Sequence, residues 1–136
     1  MDIIKPSIET KPLFDHYLSY NTYRGCEFSF ANSLFWCDYY HTQFTILEDM
    51  LVFCRLENGV PTSFTFPVGA HGPKPAFDRV VDYFEESNLP FAMYMVEPEM
   101  FEMIERWYPG QYQMEYDRDS ADYLYRQESL ATLAGK

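Results

Sequence analysis

The stretch QFTILEDMLVFCRLENGVPTSFTFPV, residues 43–68, holds three strand-like runs separated by turn chemistry. Gln43 to Leu47 is rich in Phe, Thr and Ile, side chains that suit a pleated, half-buried surface. Glu48-Asp49 reads as a turn. Met50 to Leu56 is apolar throughout apart from Arg55. Asn58-Gly59 is a strong hairpin signal, because both residues accept positive φ. Thr62 to Val68 follows, with Pro67 near its far end, where a missing N–H suits a strand terminus or an edge. The three runs predict an antiparallel meander.

Upstream of the meander, Asp2 to Lys5 predicts a short first strand closed by Pro6. Thr10 is placed to cap a helix with Pro12 in its first turn and an apolar stripe of Leu13, Phe14, Tyr17 and Leu18. A second, aromatic helix is predicted within Phe28 to Tyr40. Its stripe is Phe28, Ala31, Leu34 and Phe35, with Trp36, Tyr39 and Tyr40 crowding its end. Downstream, Gly69-Ala70-His71-Gly72-Pro73 reads as a loop. The helix Pro75 to Ser87 repeats Phe77, Val80, Val81 and Phe84 at the spacing of one helical face. Asn88 and Pro90 stop it. Phe91 to Val96 is a continuous apolar run, expected of a strand covered on both faces. Glu97-Pro98-Glu99 opens a helix whose buried stripe is Met100, Met103, Ile104 and Trp107, ended by Pro109-Gly110.

Tyr112, Met114 and Tyr116 then alternate with polar residues, and Asp122 to Arg126 alternates again after the turn chemistry of 117–120. The pattern predicts a closing hairpin. Ser129 to Lys136 begins like a helix and stops. The expected order is β-α-α-β-β-β-α-β-α-β-β, one α/β domain over 1–126 with a mixed, mostly antiparallel sheet. Residues 127–136 read as the cut start of an interdomain segment.

A chain of 136 residues with 47% hydrophobic and 19% aromatic composition can bury one large-ringed core. The formal charge of −11, with ten scattered Lys and Arg, excludes non-specific attachment to nucleic acid or an anionic membrane. No signal peptide or transmembrane run is present, so a soluble, cytoplasmic protein is expected. Cys26, Cys37 and Cys54 are an odd set with no paired spacing, and Cys26, Cys37 and His41 match no zinc finger or ribbon. None of His16, His41 and His71 has a Ser or Cys partner at a recognisable spacing, so no nucleophilic triad is read.

The element order resembles the GNAT fold of acyl-CoA-dependent N-acyltransferases. Particular phrases go further: Arg24-Gly25-Cys26-Glu27-Phe28-Ser29-Phe30-Ala31-Asn32, Phe35-Trp36, Asp38-Tyr39-Tyr40, Phe66-Pro67-Val68-Gly69, Tyr116-Asp117-Arg118-Asp119, Asp122-Tyr123-Leu124-Tyr125 and the final Ser129 to Lys136. Together they resemble the phosphatidylglycerol lysyltransferase C-terminal domain family, whose members carry two GNAT-like domains in tandem. The resemblance implies that this chain is the first of the two, with the second domain of the same polypeptide as its partner. Acyl-CoA or aminoacyl-tRNA would then serve the two-domain protein, with no cofactor held by this chain.

In a working GNAT domain the loop after the fourth strand cradles the cofactor pyrophosphate on backbone N–H groups. Gly69, Ala70, His71 and Gly72 occupy that place and are the candidate cofactor-binding residues. They depart from the usual pattern of a basic or amide residue followed by two close glycines. Pro73 and Pro75 also remove two donors, while Lys74 nearby could meet a phosphate. A plain strand-to-helix turn is the competing reading. Arg118, flanked by Asp117, Asp119 and Asp122, reads as local ion pairing at a turn. No catalytic residue is singled out. Three functions stay open: a non-catalytic half of a tandem transferase, a complete small acyl-CoA-dependent enzyme, and an interaction module acting through the closing hairpin. The uncovered hairpin edge would also allow a homodimer.

Overall fold

The computed structural model describes residues 1–23, 25–119 and 125–132. The meander forms as read. Strands β1 (Thr42–Leu47), β2 (Met50–Glu57) and β3 (Val60–Phe64) make a three-stranded antiparallel sheet in that order. Glu48 and Asp49 join the Leu47–Met50 pair at φ +48 and +57, and Asn58 and Gly59 join the Glu57–Val60 pair at φ +52 and +81. Two-residue turns with both central φ values positive match the twist of the strands they connect.

Single bridges widen this sheet. Ile4 pairs antiparallel with Phe44, Leu51 with Val68, and Met93 pairs parallel with Phe64. The expected strands at Asp2–Lys5 and Phe91–Val96 therefore contribute one bridge each, without a ladder. Met95 at φ +54 turns the second of them out of an extended path, and its residues are half-buried, short of the two-sided cover expected. The third strand's ladder ends at Phe64, short of the predicted Val68. Thr65 carries it past Pro67, which has no N–H. The Thr65 N–H donates to the Phe53 carbonyl at 2.9 Å, and the Phe53 N–H donates to the Thr65 hydroxyl at 3.0 Å.

Helices cover both faces. On one, α1 (Lys11–Leu18) and α4 (Pro98–Trp107) set Phe14, Tyr17, Met100 and Ile104 against Phe44 and Phe53. On the other, α3 (Lys74–Ser87) sets Ala76, Val80 and Phe84 against Val52, Cys54 and Phe64. Each buried Val, Ile, Met or Phe among them contributes about 1.5–3 kcal/mol by leaving water. Several stripe positions are less buried than the pattern predicts: Leu13 is exposed, and Leu18, Val81, Met103 and Trp107 are only half-buried.

The second helix, α2 (Phe30–Trp36), has its inward face rotated from the predicted one. The Ser29 hydroxyl accepts from the Asn32 N–H, and the Ser29 carbonyl accepts from both the N–H and the hydroxyl of Ser33. That cap lets Ser33 be buried with its hydroxyl satisfied, along with Cys37 one turn on. Phe35, Trp36, Tyr39 and Tyr40 consequently lie on the exposed side, and the last three pack edge-on or tilted against one another.

The closing hairpin is not formed among the described residues. Residues 112–117 run without a ladder, with Met114 and Tyr116 exposed. Most of the expected second strand, 122–124, lies outside the described residues, as do Arg24 and the last four positions. A short helix, α5 (Gln127–Thr132), buries nothing. Among the described residues no helix is long and apolar enough to cross a membrane.

Candidate functional site

The Gly69–Gly72 loop emerges where predicted, between the Leu51–Val68 bridge and α3. Gly69 lies hard against the β1–β2 turn: a Cβ there would come within 2.7 Å of Met50 Sδ and 3.1 Å of the Asp49 carbonyl. Glycine thus serves a close approach of two backbones. Gly72, by contrast, has nothing within 4 Å of where a Cβ would point.

Two contacts hold the loop down. His71 Nε2 lies 3.2 Å from Asp49 Oδ2, and the buried Tyr17 hydroxyl donates to Asp49 Oδ1 at 2.8 Å. Asp49 therefore ties the loop, the β1–β2 turn and α1 together. The Tyr17 hydrogen bond is the main cause pulling the Asp49 carboxyl below the usual carboxylate range, with His71 adding to it. Burial first, and the Asp49 carboxylate second, push the Tyr17 phenol up to about 12.

Lys74 is already engaged. Its ammonium donates to both Asp78 oxygens at 2.8 and 2.7 Å and lies 5.2 Å over the Tyr108 ring. The Tyr108 hydroxyl donates to the same carboxylate at 2.7 Å, and burial followed by Asp78 pushes that phenol up to about 12 as well. Pro73 and Pro75 flank Lys74 at the start of α3. The arrangement orients the loop and commits the Lys74 ammonium to Asp78.

The other sequence candidates stand apart. His16 is exposed and packs against Tyr17 and Tyr20. His41 is exposed, and its φ of +51 turns the chain into β1. The Asp119 N–H donates to Asp117 at 3.1 Å within the turn. Among the described residues no three His, Cys, Asp or Glu side chains are grouped as a metal ion would need.

The family model for phosphatidylglycerol lysyltransferase, C-terminal, matches residues 20–136. The chain belongs to this family. A solved relative is similar over 100% of this chain, with a TM-score of 0.84 and 26% identity: the crystal structure of a conserved protein of unknown function from Bacteroides thetaiotaomicron VPI-5482. The match covers 46% of that protein, so this phosphatidylglycerol lysyltransferase C-terminal family chain spans less than half its length. No curated protein matches.

The Tyr17 and Tyr108 phenols set an alkaline limit. A phenol held above its ordinary value of about 10 contributes stability that is intact below that value and is lost as pH rises toward 12. Asp49 has the opposite sign: its contribution is present above the ordinary carboxylate range and is lost on acidification. Ultraviolet titration of tyrosinate is expected to show a late-ionising class that Tyr17→Phe diminishes by one residue. Uniform ionisation of every tyrosine near 10 in the folded chain would refute the two environments.

Proposed function

We propose that this chain acts as the non-catalytic N-terminal half of a tandem GNAT-like acyl- or aminoacyltransferase, packing on a second domain and walling one side of its substrate channel. The observation that carries this reading is the match of the whole chain to less than half of a longer protein, within a family described as phosphatidylglycerol lysyltransferase, C-terminal. The GNAT-like assignment is supported by the strand arrangement. Ile4 lies beside β1, the meander follows, and Met93 lies parallel beside Phe64. The exposed Met114, Tyr116, Tyr125 and Leu130 offer a partner domain apolar surface next to the end of the described chain.

The non-catalytic part of the reading is supported by the loop. Gly69 to Gly72 is pinned to Asp49, Lys74 is spent on Asp78, and two prolines withhold donors that a pyrophosphate would use. A complete small acyl-CoA-dependent enzyme is the alternative. Calorimetric titration with acetyl-CoA at near-physiological salt separates the two, and no saturable heat is expected. A dissociation constant in the low micromolar range, about −8 kcal/mol, would overturn the non-catalytic reading.

A further inference from the structure

A cleft of about 630 Å³ opens where β1 starts and β2 ends, at the opposite end of both strands from the Asp49 turn. Four segments wall it: Lys5 after the Ile4 bridge, Cys37 and Asp38 after α2, the start of β1 from His41, and the end of β2 with its turn from Leu56. Backbone hydrogen bonds lock these segments together. The Thr42 N–H donates to the Cys37 carbonyl at 3.0 Å, and the Leu56 N–H donates to the His41 carbonyl at 2.9 Å. Small-molecule sites run to about 300–1,000 Å³ and are largely pre-formed, and this cleft meets both conditions.

The lining is mixed. Cys37 and Leu56 give it an apolar part, while Asp38, His41, Gln43, Glu57 and Asn58 give it carboxylates, an imidazole and two amides. Lys5 Nζ lies 2.5 Å from Asp38 Oδ1. The side chains of His41, Gln43, Glu57 and Asn58 make no hydrogen bond or ion pair with another described residue, and all but half-buried Gln43 are exposed. A ligand can therefore reach them from solvent. The wall from Asp38 to His41 also carries aromatic rings at its rim. Tyr39 and Tyr40 are chain neighbours of Asp38 and His41, about 3.8 Å away between Cα atoms. Trp36, Tyr39 and Tyr40 are 48%, 72% and 51% exposed, with ring centres 4.8 to 5.9 Å from one another.

We propose that this cleft binds a neutral saccharide, one sugar ring taking the polar lining and the C–H face of a neighbouring ring lying on the rim aromatics. A sugar hydroxyl is donor and acceptor at once, so it matches carboxylate, amide and imidazole alike. The weakly positive C–H bonds of a sugar suit the negative face of an aromatic ring. Local charge points to a neutral ligand. The lining carries one ammonium against two carboxylates, and that ammonium already pairs with Asp38, so a phosphate finds no uncommitted cation there. A wholly apolar ligand would strand the amides and Glu57 away from water. The cleft stands apart from the Gly69–Gly72 loop and does not depend on the tandem-transferase reading.

Nitrogen–proton correlation spectra of the Gln43 and Asn58 side-chain amides and of the Trp36 indole provide the test. Maltotriose, cellotriose and tri-N-acetylchitotriose are each titrated through the millimolar range, with sodium phosphate and glycine as comparisons. At least one trisaccharide is expected to move all three signals saturably, with phosphate and glycine at least about tenfold weaker. Tyr39→Ala removes an exposed rim ring, and Asn58→Gly removes an amide while keeping a residue suited to its φ of +52. Each should weaken the bound sugar several-fold with Tm little changed. No saturable shift with any of the three sugars, shifts confined to Trp36, or binding unchanged in both variants would overturn the proposal. Phosphate or glycine binding as tightly as the best sugar would overturn the saccharide assignment.

Discussion

Replacing Phe77 by alanine is expected to destabilise the chain by about 3–5 kcal/mol, the range for deleting a buried phenyl ring. Phe77 is fully buried, and its ring centre lies 5.5 to 6.3 Å from those of Phe66, Phe91, Trp107, Tyr108 and Tyr112. Those rings come from the strand end, the Phe91 segment, α4 and the start of the C-terminal segment, so one side chain on α3 gathers four parts of the chain. A domain of this size has about 5–15 kcal/mol in all, so the loss is a large share. Phe77→Leu keeps much of the volume and is expected to cost about 1.5 kcal/mol or less. Urea denaturation would measure both. A loss under about 1 kcal/mol for the alanine variant would mean that the rings close over the gap and that Phe77 is no node.

The meander was legible because its information is local. Asn58-Gly59 names its own turn, and the runs on either side need only each other. The stripe of α3 was legible for a similar reason, since Phe77, Val80 and Phe84 repeat at helical spacing whatever they pack against. Where a segment depends on a distant partner, the pattern said less. Phe91 to Val96 reads as a strand, but only Met93 finds a parallel partner before Met95 turns the chain away. Tyr112 to Tyr116 alternates correctly for a strand and has no ladder to join. The rotation of α2 was hidden in one hydroxyl: Ser33 looks polar and exposed until the Ser29 carbonyl satisfies it.

The site divides along the same line. The place of Gly69 to Gly72 followed from element order. What holds that loop did not, because Asp49 lies 32 positions from Tyr17 and 22 from His71. Nothing in spacing connects them. Asp49 carried a weak signal as half of a two-residue turn.

Thr65→Val is expected to cost about 1–3 kcal/mol although it hardly changes side-chain shape. Thr65 and Phe53 are both almost fully buried, and the Thr65 hydroxyl accepts the Phe53 N–H at 3.0 Å. Valine would leave that donor in the core without an acceptor, and the penalty for a buried orphaned N–H is of this size. The position matters because the ladder between β2 and β3 ends at Phe64, and the hydroxyl bridges the gap before Leu51 and Val68 pair again. Serine keeps the hydroxyl, so Thr65→Ser should lose only the buried methyl, about 1 kcal/mol or less. Hydrogen exchange reads the cause separately from the total. In the valine variant the Phe53 amide should lose protection beyond the drop in global stability, and in the serine variant the two should fall together. A valine variant as stable as the parent, with Phe53 still protected, would mean that the backbone shifts to supply another acceptor and that the hydroxyl does not hold the break closed.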